Sequence, residues 1–144
     1  MSDNREREFH PDLHPLLLRF QEISGKSLES VWRVYDEQSL DKIILKFPDL
    51  AFVIEAEPHD DTIKFEVITN KLNIDDCCDA SGSEPWKSFL GKPFGWGWLT
   101  INQMDALDGI LISFSGITPQ VLLTVMASSI KENIVSPGLG EESR

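Results

Sequence analysis

Residues 91–102, GKPFGWGWLTIN, hold two of the chain's four tryptophans and three of its nine glycines. A phosphate-binding glycine loop would stand at a strand-to-helix turn. These glycines stand inside an alternating pattern instead. At a period of two, Phe94, Trp96 and Trp98 fall on one face, and Gly95 and Gly97 on the other, followed by Leu99 and Ile101. Glycine inside a strand marks a bend, a bulge or the close approach of another group. The stretch therefore reads as a bent strand with one loaded face and one bare face. The three rings serve either as core beneath a curved sheet or as an aromatic binding surface, since Trp is enriched at interaction hot spots. Core is the favoured reading. A buried indole needs an acceptor, and Asp108 on the next strand is placed to supply one.

The strand pattern extends in both directions. Downstream, segments 107–115, 119–127 and 130–135 alternate in the same way, with turns at Asn102–Asp105 and Gly116–Pro119. Upstream, SLESVWRVYD (27–36) places Leu28, Trp32 and Val34 near one face and Val31 and Tyr35 near the other. LDKIILKF (40–47) sets Ile43, Leu45 and Phe47 against Lys42, Ile44 and Lys46. LAFVIEAE (50–57) and TIKFEVIT (62–69) follow, separated by turns at Pro48-Asp49 and Pro58–Asp61. Residues 70–85 keep no period and read as a loop, and 86–90 as one helical turn. Near the N-terminus, Leu13, Leu16, Leu17, Phe20 and Ile23 fall on one helical face, with Pro15 suited to the first turn and Gly25 to the stop.

The expected fold is α+β and mainly antiparallel β. About eight strands in two meanders form a strongly curved sheet, a sandwich or an open barrel, and one N-terminal helix plugs an open side or packs on one face. Residues 10–135 are expected to form a single globular domain, between a disordered N-terminus at 1–9 and a disordered tail at 136–144.

The chain has 144 residues and a formal net charge of −11, from 24 acidic and 13 basic side chains. Such a balance opposes a nucleic-acid partner, which is held by Lys and Arg on phosphates. It permits a basic protein partner or mimicry of a nucleic acid, and its commoner meaning is solubility alone. No apolar run approaches a membrane span, and MSDNREREFHPD (1–12) has no apolar signal region, so a cytoplasmic protein is expected. The adjacent pair Cys77 and Cys78 fits a reducing compartment.

Catalytic and metal-binding patterns are weak. His10 and His14 are four apart, but Pro11 and Pro15 break the helix that would present them together. Cys77 or Cys78 as a nucleophile with His59 as base is opposed by Asp75, Asp76 and Asp79, which disfavour the thiolate. Neither metal nor cofactor is expected. The remaining candidates are carboxylates at strand ends and the aromatic strand. As binding residues they are Glu55, Glu57, Asp60, Asp61, Trp96, Trp98, Asn102 and Asp108.

GKPFGWGWLTINQMDALDGILISF (91–114), with the later LLTVMASSI (122–130), resembles an uncharacterised bacterial family of domains of unknown function, family 6334 of that series. The family pattern is a glycine-led turn into a Trp-containing strand, then Asn-Gln, Asp-Gly, an apolar strand and a late Ala-Ser-Ser-Ile. It falls here on Gly91, Trp96 or Trp98, Asn102, Gln103, Asp108, Gly109, Phe114, Ala127, Ser128, Ser129 and Ile130. A Gly-Tyr pair of the family is replaced by Asp105-Ala106. The resemblance implies no activity. The expected function is that of a non-enzymatic protein-binding module, with an immunity or antitoxin protein as its sharper version. The competing expectations are a small-molecule-binding β domain with a cavity lined by Phe94, Trp96 and Trp98, and, behind it, an enzyme built on Asp or Glu.

Overall fold

A computed structural model describes residues 14–57, 61–69, 72–103 and 106–135. The expected tails at 1–9 and 136–144, and with them Leu13, Asp60 and Asp105, lie outside the described residues.

Helix α1 spans His14–Ile23. It ends where expected: Gly25 takes φ +87°, a left-handed value that costs glycine nothing. Its amide then donates to the Phe94 carbonyl at 2.8 Å, which ties the helix end to the aromatic strand. Of the predicted apolar stripe, Phe20 and Ile23 are fully buried, whereas Leu17 is 39% exposed.

Among the described residues, nine strands form two antiparallel sheets. The first runs β4-β3-β2-β1-β5, from β1 (Ser30–Asp36), β2 (Ser39–Phe47), β3 (Leu50–Glu57), β4 (Thr62–Ile68) and a short β5 (Cys78–Asp79). The second runs β6-β7-β8-β9, from β6 (Phe94–Ile101), β7 (Leu107–Phe114), β8 (Val121–Met126) and β9 (Ser129–Ile134). The two sheets are curved and pack face to face as a sandwich: β4 lies against β7 and β8, and β2 and β3 lie against β9. Helix α1 touches β4 and β6, so it closes the gap between those two edge strands. The ninth strand is the one the sequence pattern misses. Two residues cannot show a period, and β5 exists only because Cys78 and Asp79 pair with Arg33 and Trp32. The helical turn at 86–90 is present as a 3-10 turn, Trp86–Phe89.

The alternating residues of the first meander fill the core as expected. Ile43, Leu45, Phe47, Phe52, Ile54 and Ile63 face the second sheet. The face assigned to Leu28 is different. Leu28 is buried with Val31 in the main core, while Trp32 and Val34 face the other way. Leu28 precedes β1, so strand parity does not reach it.

The aromatic strand departs from strict parity for a physical reason. Phe94 pairs with Phe114, but the next partners are Trp96 with Ser113, so Gly95 is an extra residue and the register shifts there. A bulge of this kind reverses the faces beyond it. Phe94 is core and fully packed between Phe20, Phe47, Phe52 and Phe114. Past the bulge it is Gly97 and Leu99 that pair with the buried Ile112 and Ile110, so Trp98 points away from the core. Trp96 is half-buried, edge-on to Phe20 at 5.8 Å between ring centroids. Both glycines are sites of close approach. A Cβ on Gly97 would stand 2.5 Å from the Phe20 ring, and one on Gly95 would stand 1.8 Å from the Gly116 carbonyl oxygen.

Candidate functional site

Strand register places the outward side chains of the first sheet in rows. Ser30, Lys46, Ala51 and Ile68 stand across one row; Trp32, Ile44, Val53 and Glu66 across the next; Val34, Lys42, Glu55 and Lys64 across the third. An outer sheet face is ordinarily polar. Here its middle is apolar, with Ile44, Ala51 and Val53 each no more than 5% exposed. The cover comes from the segment after β4: Leu72 and Cys77 pack on this second cluster together with Trp32, Val34 and Ile68. A segment expected to be plain loop is therefore a strap laid across the sheet.

The strap leaves a cleft on each side. The larger, of about 550 Å³, has Trp32, Pro48, Leu50, Ala51, Ile68, Leu72 and Ile74 as its apolar wall, and Glu29, Asp49 and Lys46 at its polar margin. The smaller, of about 230 Å³, is bounded by Ile44, Val53 and Leu72, with Glu55, Glu66, Asp76 and Lys42 around them. The larger volume lies within the range of ligand sites, which are typically about 300–1,000 Å³. The walls of the two clefts together carry five carboxylates (Glu29, Asp49, Glu55, Glu66, Asp76) and two lysines (Lys42, Lys46). Lys46 is partly engaged already. Lys46 Nζ donates to the Phe47 carbonyl at 2.8 Å and stands 3.5 Å from Glu29. The Trp32 indole N–H donates to Ser30 Oγ at 3.0 Å, which fixes the ring over the apolar floor.

The residues expected to bind from sequence are not gathered in one place. Glu55 is the one at a cleft, and it stands between Lys42 and Lys64 on the neighbouring strands. Glu57 pairs with Lys64 at 3.5 Å. Asp60 lies outside the described residues. Asp61 takes φ +53° and its Oδ1 accepts the Ser128 amide at 2.8 Å, joining the β3–β4 turn to the β8–β9 turn and so one sheet to the other. Asp61→Ala is expected to cost about 1 kcal/mol through this lost bond, and Asp61→Asn much less, as read by urea denaturation. Asn102 closes its own turn: its amide donates to the Ala106 carbonyl and its Oδ1 accepts the Ala106 amide. Asp108 accepts the Thr100 hydroxyl at 2.8 Å rather than an indole N–H. The fully buried indole is Trp86, and its N–H donates to Glu132 Oε2 at 2.9 Å. Phe94, Trp96 and Trp98 do not enclose a cavity together, because Phe94 is packed solid and Trp98 is on the opposite face.

Cys77 offers little nucleophilic chemistry. Burial pushes its thiol pKa up, and the nearby Asp76 and Asp75 add to the rise against the pull of Lys42. The candidate base, His59, lies outside the described residues. Two carboxyls are held below their usual range by local partners, Asp49 by the Lys26 ammonium and Asp79 by the Ser81 amide. Among the described residues, no group of three or more His, Cys, Asp or Glu side chains is placed to hold a metal ion. None of the described helices is long and apolar enough to cross a membrane.

The sequence signal for the cleft is present but divided. Ile44 interrupts the lysines of β2, Trp32 and Val34 share its face, and Leu72 and Ile74 are isolated apolar residues in a polar run. Only the register and the strap bring them together.

Residues 14–138 match the family of unknown function DUF6334, and the chain belongs to that family. No curated protein and no solved structure matches it.

Proposed function

We propose that this member of the family is a non-enzymatic binding module that takes a basic, partly apolar segment of a protein partner into the clefts on the outer face of the first sheet. The observation that carries the proposal is the composition of that face. It combines an apolar floor with a fixed Trp32 ring and a margin of five carboxylates against two lysines. Aromatic anchors in such settings dominate binding, and complementary charge guides the encounter. A net charge of −11 adds long-range attraction for a cationic partner.

The test is a titration with synthetic peptides rich in Lys, Arg and Leu, followed by amide chemical-shift mapping. Shifts are expected on β1, β2 and the strap. Trp32→Ala should weaken binding at least tenfold, with a folded spectrum retained. Asp49→Lys should weaken it several-fold and flatten its salt dependence. Equal affinity for acidic peptides, or shifts confined to the second sheet, would overturn the reading. The immunity or antitoxin form of the proposal makes the partner a basic toxin. A toxin gene beside this one, and neutralisation lost in Trp32→Ala, would support that form.

The second reading is a small-molecule-binding domain. It rests on the larger cleft, about 550 Å³ beside Trp32, and not on Trp96 and Trp98. Saturable binding of a small aromatic compound there, without any response to basic peptides, would favour it.

A further inference from the structure

The second sheet has an outer face of a different kind. Beyond the Gly95 bulge, register sets Trp98, Leu111, Leu122 and Asn133 across one row. The next row is Thr100, Gly109, Thr124 and Lys131. A Cβ on Gly109 would meet Thr100 Oγ1 at 2.5 Å and Thr124 Cγ2 at 3.0 Å, so these side chains do share one surface. Trp98, Leu111 and Leu122 are half-buried and stand outside the core cluster. The three outward rows of the first sheet hold five charges, Lys42, Lys46, Glu55, Lys64 and Glu66. The two rows of the second sheet hold one charge, Lys131, and Asp108 stands beside them, bonded to Thr100. In a chain with 26% charged residues, this face is unusually neutral.

We propose that this neutral face of β6–β9 is a self-association surface, on which a second copy of the chain packs sheet against sheet. The charge layout selects the occupant. Two chains of net charge −11 repel overall, and least where the facing surfaces carry few charges or complementary ones. A two-fold axis parallel to the strands, midway between β7 and β8, lays β6 of one copy over β9 of the other and preserves height along the strands. Leu111 then meets Leu122 of the second copy. The Thr100–Asp108 corner meets Lys131, so the two charges pair twice across the axis. This is the self-complementarity that a two-fold interface requires. Aligned sheets pack in this way, about 10 Å apart. Four strands at about 4.8 Å spacing, each about six residues long, offer a face of roughly 20 by 20 Å. That is a small interface, so the dimer is expected to be weak, dependent on concentration, and strengthened by salt that screens the overall repulsion.

Sedimentation velocity across a protein concentration series tests this. The wild-type chain should shift from monomer to dimer at high micromolar concentration, and in about 0.5 M salt the shift should move to lower concentration. Leu122→Lys should weaken dimerisation at least tenfold, with its melting curve as the control for folding. Lys131→Glu and Asp108→Lys should each weaken it several-fold. An equimolar mixture of those two variants should restore it as a heterodimer. The glutamate introduced in one chain then faces the lysine introduced in the other, and the native Asp108 and Lys131 still pair across the axis. A merely misfolded variant would not be rescued. A wild-type chain that stays monomeric at millimolar concentration overturns the proposal. So does a dimer that is indifferent to Leu122→Lys and Lys131→Glu, or one abolished by Trp32→Ala, which would place the contact on the first sheet.

Discussion

Gly95→Ala is expected to destabilise the protein by about 3 kcal/mol or more, which is at the upper end for adding one methyl group. The added Cβ would lie 1.8 Å from the Gly116 carbonyl oxygen and 2.5 Å from Ser113 Oγ. Backbone cannot turn aside as a side chain can. The Gly116 carbonyl is also held in place, because it accepts the Ser113 hydroxyl at 2.6 Å. That hydroxyl oxygen in turn accepts the Trp96 amide at 2.9 Å, and Ser113 is fully buried. Displacing the loop would break the bulge and the bonds that define it. Gly97→Ala is expected to cost less, since its obstacle is the Phe20 ring. It should still be felt, because Phe20 is confined by Phe52, Phe65 and Phe94. Guanidinium denaturation of both variants gives the order. A Gly95→Ala protein as stable as wild type would mean that the Gly116 loop does not sit on β6.

The second large effect is expected at Glu132. Its carboxylate takes two hydrogen bonds from Arg33, at 2.7 and 3.1 Å, and one from the Trp86 indole at 2.9 Å. Arg33 and Glu132 side chains are 14% and 13% exposed, on strands of different sheets. Burial opposes the Arg33 charge, but the hydrogen bonds and negative charge of Glu132 outweigh it and raise the guanidinium pKa. Glu132→Ala removes the counter-ion and the acceptor of the indole N–H, and leaves Arg33 its Nη2 bond to the Glu84 carbonyl at 3.1 Å. The expected loss is about 3–5 kcal/mol, the usual cost of removing one partner of a buried pair. Glu132→Gln keeps one acceptor oxygen and should lose less. Arg33→Met combined with Glu132→Met should recover part of the loss, because no charge is then stranded. A loss below about 1 kcal/mol for Glu132→Ala would mean that solvent screens the pair as it does at a surface.

Several features are legible in the amino-acid sequence alone. Period-two alternation locates eight strands, because an interior face must be apolar at every second position. The helix and its stop at Gly25 follow from 3.6-residue spacing and the freedom of glycine. The family-pattern residues carry turns and joints as well as core. Gly91 takes φ +80°, Ala127 and Ser128 both take positive φ in the β8–β9 turn, and Ser129 Oγ accepts the Leu40 amide. These are roles for the fold, which is why the pattern speaks for a family and not for an activity.

Other features lie beyond local reading. The aromatic strand shows its glycines but not which of them is the extra residue, and one extra residue moves Trp98 to the opposite face. Glu132 looks like any strand carboxylate, and nothing near it in sequence points to Arg33 or Trp86. The cleft on the first sheet needs the strap, and the strap's Leu72 and Ile74 have no period. The sequence by itself determined the strand count of both meanders, the core-facing set of β2 and the acidic balance, since these depend on neighbours a few residues apart. Only the tertiary structure decided which outer faces are open, where the bulge falls and which buried charges meet. Those depend on strand pairing, on the strap and on how the two sheets lie against each other, and such long-range contacts leave no mark within a window of a few residues.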